Sequence, residues 1–199
     1  VADTDRKRWN TKYEGSAETP FTAHPLAARA LSLALPDGPM LDLASGPSGS
    51  ALLVAQSGRS VLAVDVSDVA LRRLAAEARR RGLAELISIE EADLDAWRPQ
   101  AGAYALVLCT GYWDRALFEP AARAVVPGGL LGWEAFTLDA KRTRPSLPDK
   151  WCLADGEPAS LLPDGFTVLG QTDLPENGKR RLLARLSDQP RSTSTTTGA

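Results

Sequence analysis

Three groups of residues in the first half of the chain have the types and spacing to hold a ligand. Asp42-Leu43-Ala44-Ser45-Gly46-Pro47-Ser48-Gly49-Ser50 is a run of small residues. Such a turn lets backbone approach a ligand closely and lets the first N–H groups of a following helix face an anion. Asp65 comes 19 residues after Gly46, where an acidic side chain at a strand end accepts hydrogen bonds from both hydroxyls of a ribose. Glu91-Ala92-Asp93-Leu94 comes next; a carboxylate there accepts from an adenine amino group while a backbone N–H donates to the ring. Together the three describe an adenosine. Each also has a plainer role: a tight link, a cap for a helix starting near Ser67, and an ordinary loop carboxylate.

For these groups to meet, each must follow a strand of one sheet. Met40–Leu43 is a short apolar run before the small-residue turn, and Ala51–Ala55 reads as a helix ending at Gly58. Val61–Val64 is the next strand, closed by Asp65, and a helix follows over Asp68–Arg81, capped by Ser67 or Asp68 and stopped by Gly82. The alternation continues through a strand at Leu86–Ile89, an Asp-rich link and an apolar strand at Tyr104–Leu108. A helix over Asp114–Val126 is then broken by Pro127-Gly128-Gly129, which launches a strand at Leu130–Phe136. Strands alternating with helices at this pitch imply parallel units in a sheet covered on both faces, with ligands beyond the carboxyl ends of the strands. The expected class is α/β, doubly wound.

The flanks differ. Asp5–Tyr13 is read as a short helix, and a second helix starts at Pro25, with apolar residues at helical spacing from Leu26 to Ala34. Near the other end, Glu157–Leu162 reads as one short helix, and Phe166–Thr172 and Arg181–Leu186 as two strands joined through Asn177-Gly178. That turn signal predicts a hairpin and makes the final strand antiparallel to the rest. One domain over 1–187 is expected, with 1–36 as a helical lid or cap and 188–199 as a flexible Ser/Thr/Gly-rich tail.

The 199 residues carry a net charge of -2 and 44% apolar residues, near globular averages. Nothing in that balance calls for nucleic acid or anionic lipid, and no apolar run approaches the ~20 residues of a membrane span. The charged first residues, Val1–Trp9, are unlike a secretory signal, so a cytoplasmic location is expected. Cys109 and Cys152 have no metal-ligand spacing and are read as free thiols; no metal is expected.

The chain resembles the class I S-adenosylmethionine-dependent methyltransferases, and within them the small tellurite-resistance-type group. The resemblance runs through Trp9-Asn10-Thr11-Lys12-Tyr13, Leu41-Asp42-Leu43-Ala44-Ser45-Gly46, Ala63-Val64-Asp65-Val66-Ser67, Ala92-Asp93-Leu94, Tyr104-Ala105-Leu106-Val107-Leu108-Cys109, Val126-Pro127-Gly128-Gly129 and Glu134-Ala135-Phe136-Thr137. It implies a seven-stranded sheet of order 3-2-1-4-5-7-6 with the last strand antiparallel and helices on both faces. It also implies S-adenosylmethionine as cofactor, with S-adenosylhomocysteine as product. The methionine end would lie on Gly46 and its neighbours Ala44 and Ser48, the ribose on Asp65, and the adenine between Val66 and Asp93-Leu94. The family's first turn usually reads Gly-Cys-Gly-x-Gly. Here Ala44 and Ser48 replace the first and third glycines, and Ser48 is expected either to crowd the cofactor and need a positive φ, with Gly49 compensating, or to bond the cofactor carboxylate.

Methyl transfer from a sulfonium is a direct displacement, so alignment of the partners does most of the work. Trp9 and Tyr13, four apart on one helix face, either lie over the cofactor, where rings attract a sulfonium, or form a docking face. Tyr112 and Trp113 follow a strand on the ligand side and are expected to border the methyl donor; His24 is either a base or a cap. Cys109 is expected to pack as a small side chain that offers backbone to the cofactor, and Glu134 to support the site from behind. Lys141–Ala154 is expected to form a substrate lid. The expected acceptor is a small molecule, with no membrane or nucleic-acid partner, and the enzyme a monomer or homodimer. A nicotinamide dehydrogenase would need Gly-x-Gly-x-x-Gly and a second domain, and a nucleic-acid methyltransferase an Asn-Pro-Pro-aromatic signature. A non-catalytic cofactor-binding protein remains the alternative.

Overall fold

A computed structural model describes residues 2–15 and 21–188; the tail expected to be flexible lies outside them from 189 onward. Seven strands form the sheet: β1 Met40–Leu43, β2 Val61–Asp65, β3 Ile87–Glu91, β4 Tyr104–Thr110, β5 Val125–Phe136, β6 Phe166–Leu174 and β7 Lys179–Leu186. Their order is β3-β2-β1-β4-β5-β7-β6. The first five run parallel, and β7 is antiparallel to both β5 and β6. This is the expected order and direction.

The helices are α1 Ala2–Glu14, α2 Pro25–Leu31, α3 Gly49–Gln56, α4 Asp68–Arg80 and α5 Arg115–Arg123. One face of the sheet packs its Met40, Ala63, Leu106 and Leu130 against Leu26 and Ala30 of α2, Leu52 and Val54 of α3 and Leu71 and Leu74 of α4. On the other face Leu43, Val107, Trp133 and Leu182 pack with Leu117, Phe118 and Ala121 of α5, and with Leu94 and Leu153 from connecting segments. Thus α2, read as part of an N-terminal cap, belongs to the core; α1 stands apart over the strand ends. No helix among the described residues is long and apolar enough to cross a membrane.

Boundaries differ in two places. The fifth helix stops at Arg123, and β5 begins at Val125 and runs through Pro127-Gly128-Gly129, so those residues form the start of the strand and not a break before it. A register shift between Tyr104 and Leu106 accommodates them. The short helix read over Glu157–Leu162 is only a 3-10 turn, Ala159–Leu161.

The β1–α3 turn corrects the reading of its replaced glycines. Ser48 has an ordinary extended φ of -74° and caps α3, accepting from the Ala51 N–H at 2.9 Å. Its hydroxyl donates to Asp42 Oδ2 at 2.5 Å, so it neither needs a left-handed backbone nor is available to a cofactor carboxylate. The left-handed conformations fall on Ala44 (φ 49°) and Gly46 (φ 56°), and at Ala44 the side chain makes this cost of order 1 kcal/mol. That conformation directs the Ser45 N–H to the Val64 carbonyl at 3.1 Å and the Gly46 N–H to Asp65 Oδ2 at 2.7 Å. Gly49 serves packing: a Cβ there would lie 2.4 Å from the Thr22 carbonyl carbon and 2.6 Å from that of Phe21.

Two outcomes are expected. Gly49→Ala forces backbone 21–22 off α3 and should cost about 1–3 kcal/mol, read as a lower urea midpoint; an unchanged midpoint contradicts the packing. Burial pushes the Asp42 carboxyl up to about 7, against the Ser48 hydrogen bond and with the help of the Asp65 charge. The folded protein therefore holds a proton that the unfolded chain loses near pH ~4. Stability from this group falls as pH rises from about 4 to 7 and is level above. Asp42→Asn should remove that slope, so its melting temperature gains on the parent's between about pH 4 and 7; parallel curves would contradict it.

Candidate functional site

A cleft of ≈ 860 Å³ lies at the carboxyl ends of β1, β2, β4 and β5. The strand ends contribute Ala44, Asp65, Thr110, Gly111 and Phe136, and the link after β3 contributes Asp93, Leu94 and Asp95. Above them lie Arg8, Trp9, Lys12 and Tyr13 of α1 and the segment from Thr143 to Trp151, with Lys179 closing the β7 side.

Asp65 is the hub of the β2 side. It is only 6% exposed, and it accepts backbone N–H groups on both oxygens: Oδ2 from Gly46 at 2.7 Å and Oδ1 from Ser67 at 2.8 Å, with the Val66 N–H also bonding to the carboxylate. A carboxylate has about four lone-pair positions, so capacity remains on the edge lining the cleft. Burial raises its pKa, opposed by those N–H groups and by Lys12. Ser67 caps α4 and donates its hydroxyl to Asn10 Oδ1 at 2.6 Å, while the Asn10 amide donates to Asp68 at 2.7 Å. These bonds seat α1 on the start of α4, with Arg6 reaching Glu91 at 3.3 Å.

Seated this way, α1 lays Trp9 and Tyr13 along the cleft, their stacked rings 6.1 Å apart. The Lys12 ammonium sits 4.4 Å from the Trp9 ring centre; burial lowers its pKa, as do Arg8 and Arg144, against Asp65. The Tyr13 hydroxyl covers Gly46 so closely that a Cβ there would lie 2.7 Å away. Burial, with the Asp65 charge, pushes that hydroxyl up to about 12.

At the β4 exit, Trp113 lines the cleft yet is 4% exposed. It is wedged against Trp133 and Phe118, with ring centres 5.9 and 5.6 Å away. The Tyr112 carbonyl accepts from Trp133 Nε1 at 3.0 Å, and its hydroxyl donates to Asp95 at 3.2 Å. Burial, and then the Asp95 and Asp114 charges, raise the Tyr112 pKa far above the ordinary phenol range.

The structure thus brings Trp9, Tyr13, Ala44, Asp65, Val66, Asp93, Leu94, Tyr112 and Trp113 to one cleft. Gly46 lies just behind it under Tyr13, Ser48 beneath α3, and Cys109 in the core with its thiol toward the Tyr112 carbonyl at 3.6 Å; burial holds that thiol protonated. His24 is set away from the cleft. Its Nδ1 accepts from the Leu26 N–H as the cap of α2, and its Nε2 meets Glu134 Oε2 at 3.0 Å. Both nitrogens being engaged, it is a cap and a partner of Glu134. Burial raises the Glu134 pKa, but hydrogen bonds from His24, Lys179 and Arg181 outweigh it and hold the carboxyl far below its usual range. Among the described residues no His, Cys, Asp or Glu group is placed to hold a metal.

Thr110, Gly111 and Phe136 went unread as site residues although they end strands at the ligand side, a signal the carboxyl-end rule supplies. Arg8 and Lys12 carried only their places beside Trp9 and Tyr13. The cleft fits the implied cofactor by its own features: a buried carboxylate with spare acceptor capacity at β2, a left-handed turn beside it and a second carboxylate segment after β3.

Residues 40–129 match the family model described as a methyltransferase domain. No curated protein matches the chain by sequence. The chain is similar in fold to magnesium protoporphyrin IX methyltransferase from Synechocystis PCC 6803, solved with bound S-adenosylhomocysteine, at 16% identity over 94% of this chain and 100% of that one, TM-score 0.71. Geranyl diphosphate C-methyltransferase from Streptomyces coelicolor A3(2) shares 14% identity over 94% and 98%, TM-score 0.65. The [4+2]-cyclase SpnF shares 16% over 94% and 97%, TM-score 0.71. The chain thus carries a methyltransferase-domain match across its centre, within a sheet of order β3-β2-β1-β4-β5-β7-β6 and with the cleft at its strand ends.

Proposed function

We propose that the protein methylates a small molecule at a nucleophilic sulfur, oxygen, nitrogen or chalcogen atom by direct displacement, with alignment as its main contribution. The observation that carries this is the cleft, whose ≈ 860 Å³ lie beneath α1 and the segment from Thr143 to Trp151. That is the scale of a small-ligand site, not of a groove for a macromolecule.

Asp65 would hold the ribose, Val66 and the Asp93-Leu94 segment the adenine, and the turn at Ala44 and Gly46 the methionine end, faced by Trp9 and Tyr13. When bound, S-adenosylmethionine supplies an electrophilic methyl group on a sulfonium. The rings of Trp9 and Tyr13 suit a cationic neighbour. Trp113, immobilised by Trp133 and Phe118, would position the acceptor beside Tyr112, and α1 with the lid would exclude water. With His24 engaged and the Tyr112 hydroxyl held protonated, the cleft offers no ready general base there, which favours acceptors that ionise by themselves, such as thiols and oxyanions. The tellurite-resistance-type resemblance points the same way, on its Trp9–Tyr13 and Glu134–Thr137 segments. The acidic balance of the chain supports an enzyme that acts without nucleic acid.

A second reading, cofactor binding put to another use, is favoured by the similarity to a cyclase of the same fold. Calorimetry with S-adenosylmethionine and S-adenosylhomocysteine, then a methylation assay on thiols, phenols, amines and oxyanions, separates the two. Binding with no transfer across the panel favours the second. Asp65→Ala should weaken S-adenosylhomocysteine by roughly 10- to 100-fold, the worth of hydrogen bonds to a charged group; unchanged affinity removes the ribose assignment. Tryptic cleavage after Arg142 and Lys150 should slow on adding cofactor and acceptor, and an unaltered rate counts against the lid.

A further inference from the structure

The strand order sorts the charges of the cleft. Asp65, Asp93 and Asp95 follow β2 and β3, at one side of the sheet; Arg144, Lys150 and Lys179 follow β5 or begin β7, at the other. The two sides are separated by β1 and β4. A chain of net charge -2 therefore carries a cationic half-cleft beside an acidic one.

The cationic side is not neutralised from within. Glu134 is the carboxylate beneath it, and it is shared by Lys179 at 2.9 Å and Arg181 at 2.7 Å as well as by His24. One negative charge thus faces two permanent positive ones. Among the described residues, Arg144 and Lys150 have no carboxylate partner; they are held on rings instead. The Arg144 guanidinium lies 4.6 Å from the Phe136 ring centre and Lys179 lies 5.4 Å from the same ring. Lys150 and Arg8 lie 5.9 and 5.4 Å from that of Trp151. Ring contacts of this kind orient a cation without cancelling its charge. The methionine carboxylate of the cofactor accounts for at most one cation, and Lys12, beside Tyr13 and the Gly46 turn, is the one nearest its expected place.

We infer that the methyl acceptor is a small organic anion, its carboxylate or phosphate held by Arg144, Lys150 and Lys179 and its apolar body laid against Phe136 and Trp151. This rests on the methyltransferase reading, which places the cofactor on the acidic side and leaves the cationic side to the acceptor. An oxyanion there gains charge-assisted hydrogen bonds that a neutral analogue lacks. Because Arg144 and Lys150 are exposed, the attraction is open to screening by salt.

The test is calorimetry on protein saturated with S-adenosylhomocysteine, using benzoate, phenylacetate and 2-naphthoate against their carboxamides, and phenyl phosphate against phenol. At least one anion should bind about tenfold tighter than its neutral partner, and the preference should shrink in about 0.5 M salt. It should be lost in the Arg144→Gln, Lys150→Gln double variant while S-adenosylhomocysteine affinity stays within about twofold. The carboxylate and phosphate arms tell which oxyanion fits. No anion outbinding its partner, or a preference that survives the double variant, overturns the proposal. If S-adenosylhomocysteine itself fails to bind, the methyltransferase reading falls separately, and the same paired titrations on the unliganded protein still decide the charge preference.

Discussion

The Asp65 carboxylate is the bond on which the site depends. By accepting the Gly46 N–H on one oxygen and the Ser67 N–H on the other, it ties the exits of β1 and β2 into one unit. Ser67 then passes the restraint on through its hydroxyl to Asn10, and so to α1. Floor and roof of the cleft are linked by a chain of three polar side chains. A buried carboxylate satisfied by backbone donors tolerates burial that an unpaired one would not. Asp65 also lines the cleft.

The same economy of contacts appears across the sheet. Trp113, Trp133 and Phe118 form an interlocked block between β4, β5 and α5, with the Phe118 and Trp133 ring centres 5.1 Å apart. The indole N–H of Trp133 is spent on the Tyr112 carbonyl, which sets the turn after β4. Glu134, next along β5, draws in α2 through His24 and β7 through Lys179 and Arg181. The rim of the cleft is therefore held by packing on one side of β5 and by charge on the other, and neither requires a ligand.

Methyl transfer asks little of an enzyme beyond this. Where the leaving group is already activated, alignment of the reacting atoms on a rigid floor does most of the work. A similar sheet hosts a cyclase, a reminder that the chemistry resides in the cleft lining and not in the strand order.

The amino-acid sequence alone determined the α/β class, because parallel strands buried on both faces leave apolar runs at a regular pitch that no other arrangement explains as well. It also placed Asp65, Asp93, Tyr112 and Trp113 at the carboxyl ends of the strands, where they line the cleft, since Asp65 closes β2 and the others come within three residues of the end of β3 or β4. The strand order rested on resemblance and agrees with the structure. Tertiary structure decided the rest. That Ala44 and not Ser48 takes the left-handed turn follows from where β2 presents Val64 and Asp65 as acceptors. That His24, a cap already readable from its place before Pro25, is held by Glu134 110 residues away and so set apart from the cleft follows from the packing of α2 beside β5. That β5 starts at Val125, through a Pro-Gly-Gly that reads as a break, follows from its pairing with β4. In sequence Lys141–Arg144 and the turn at Lys179 read equally well as a cover for an anionic acceptor on the ligand face or as solvated loops; the rings on which Arg8, Arg144 and Lys150 rest are supplied by the fold. Local pattern records which face of an element is buried. It does not record which distant donor, ring or carboxylate the fold brings against the other face.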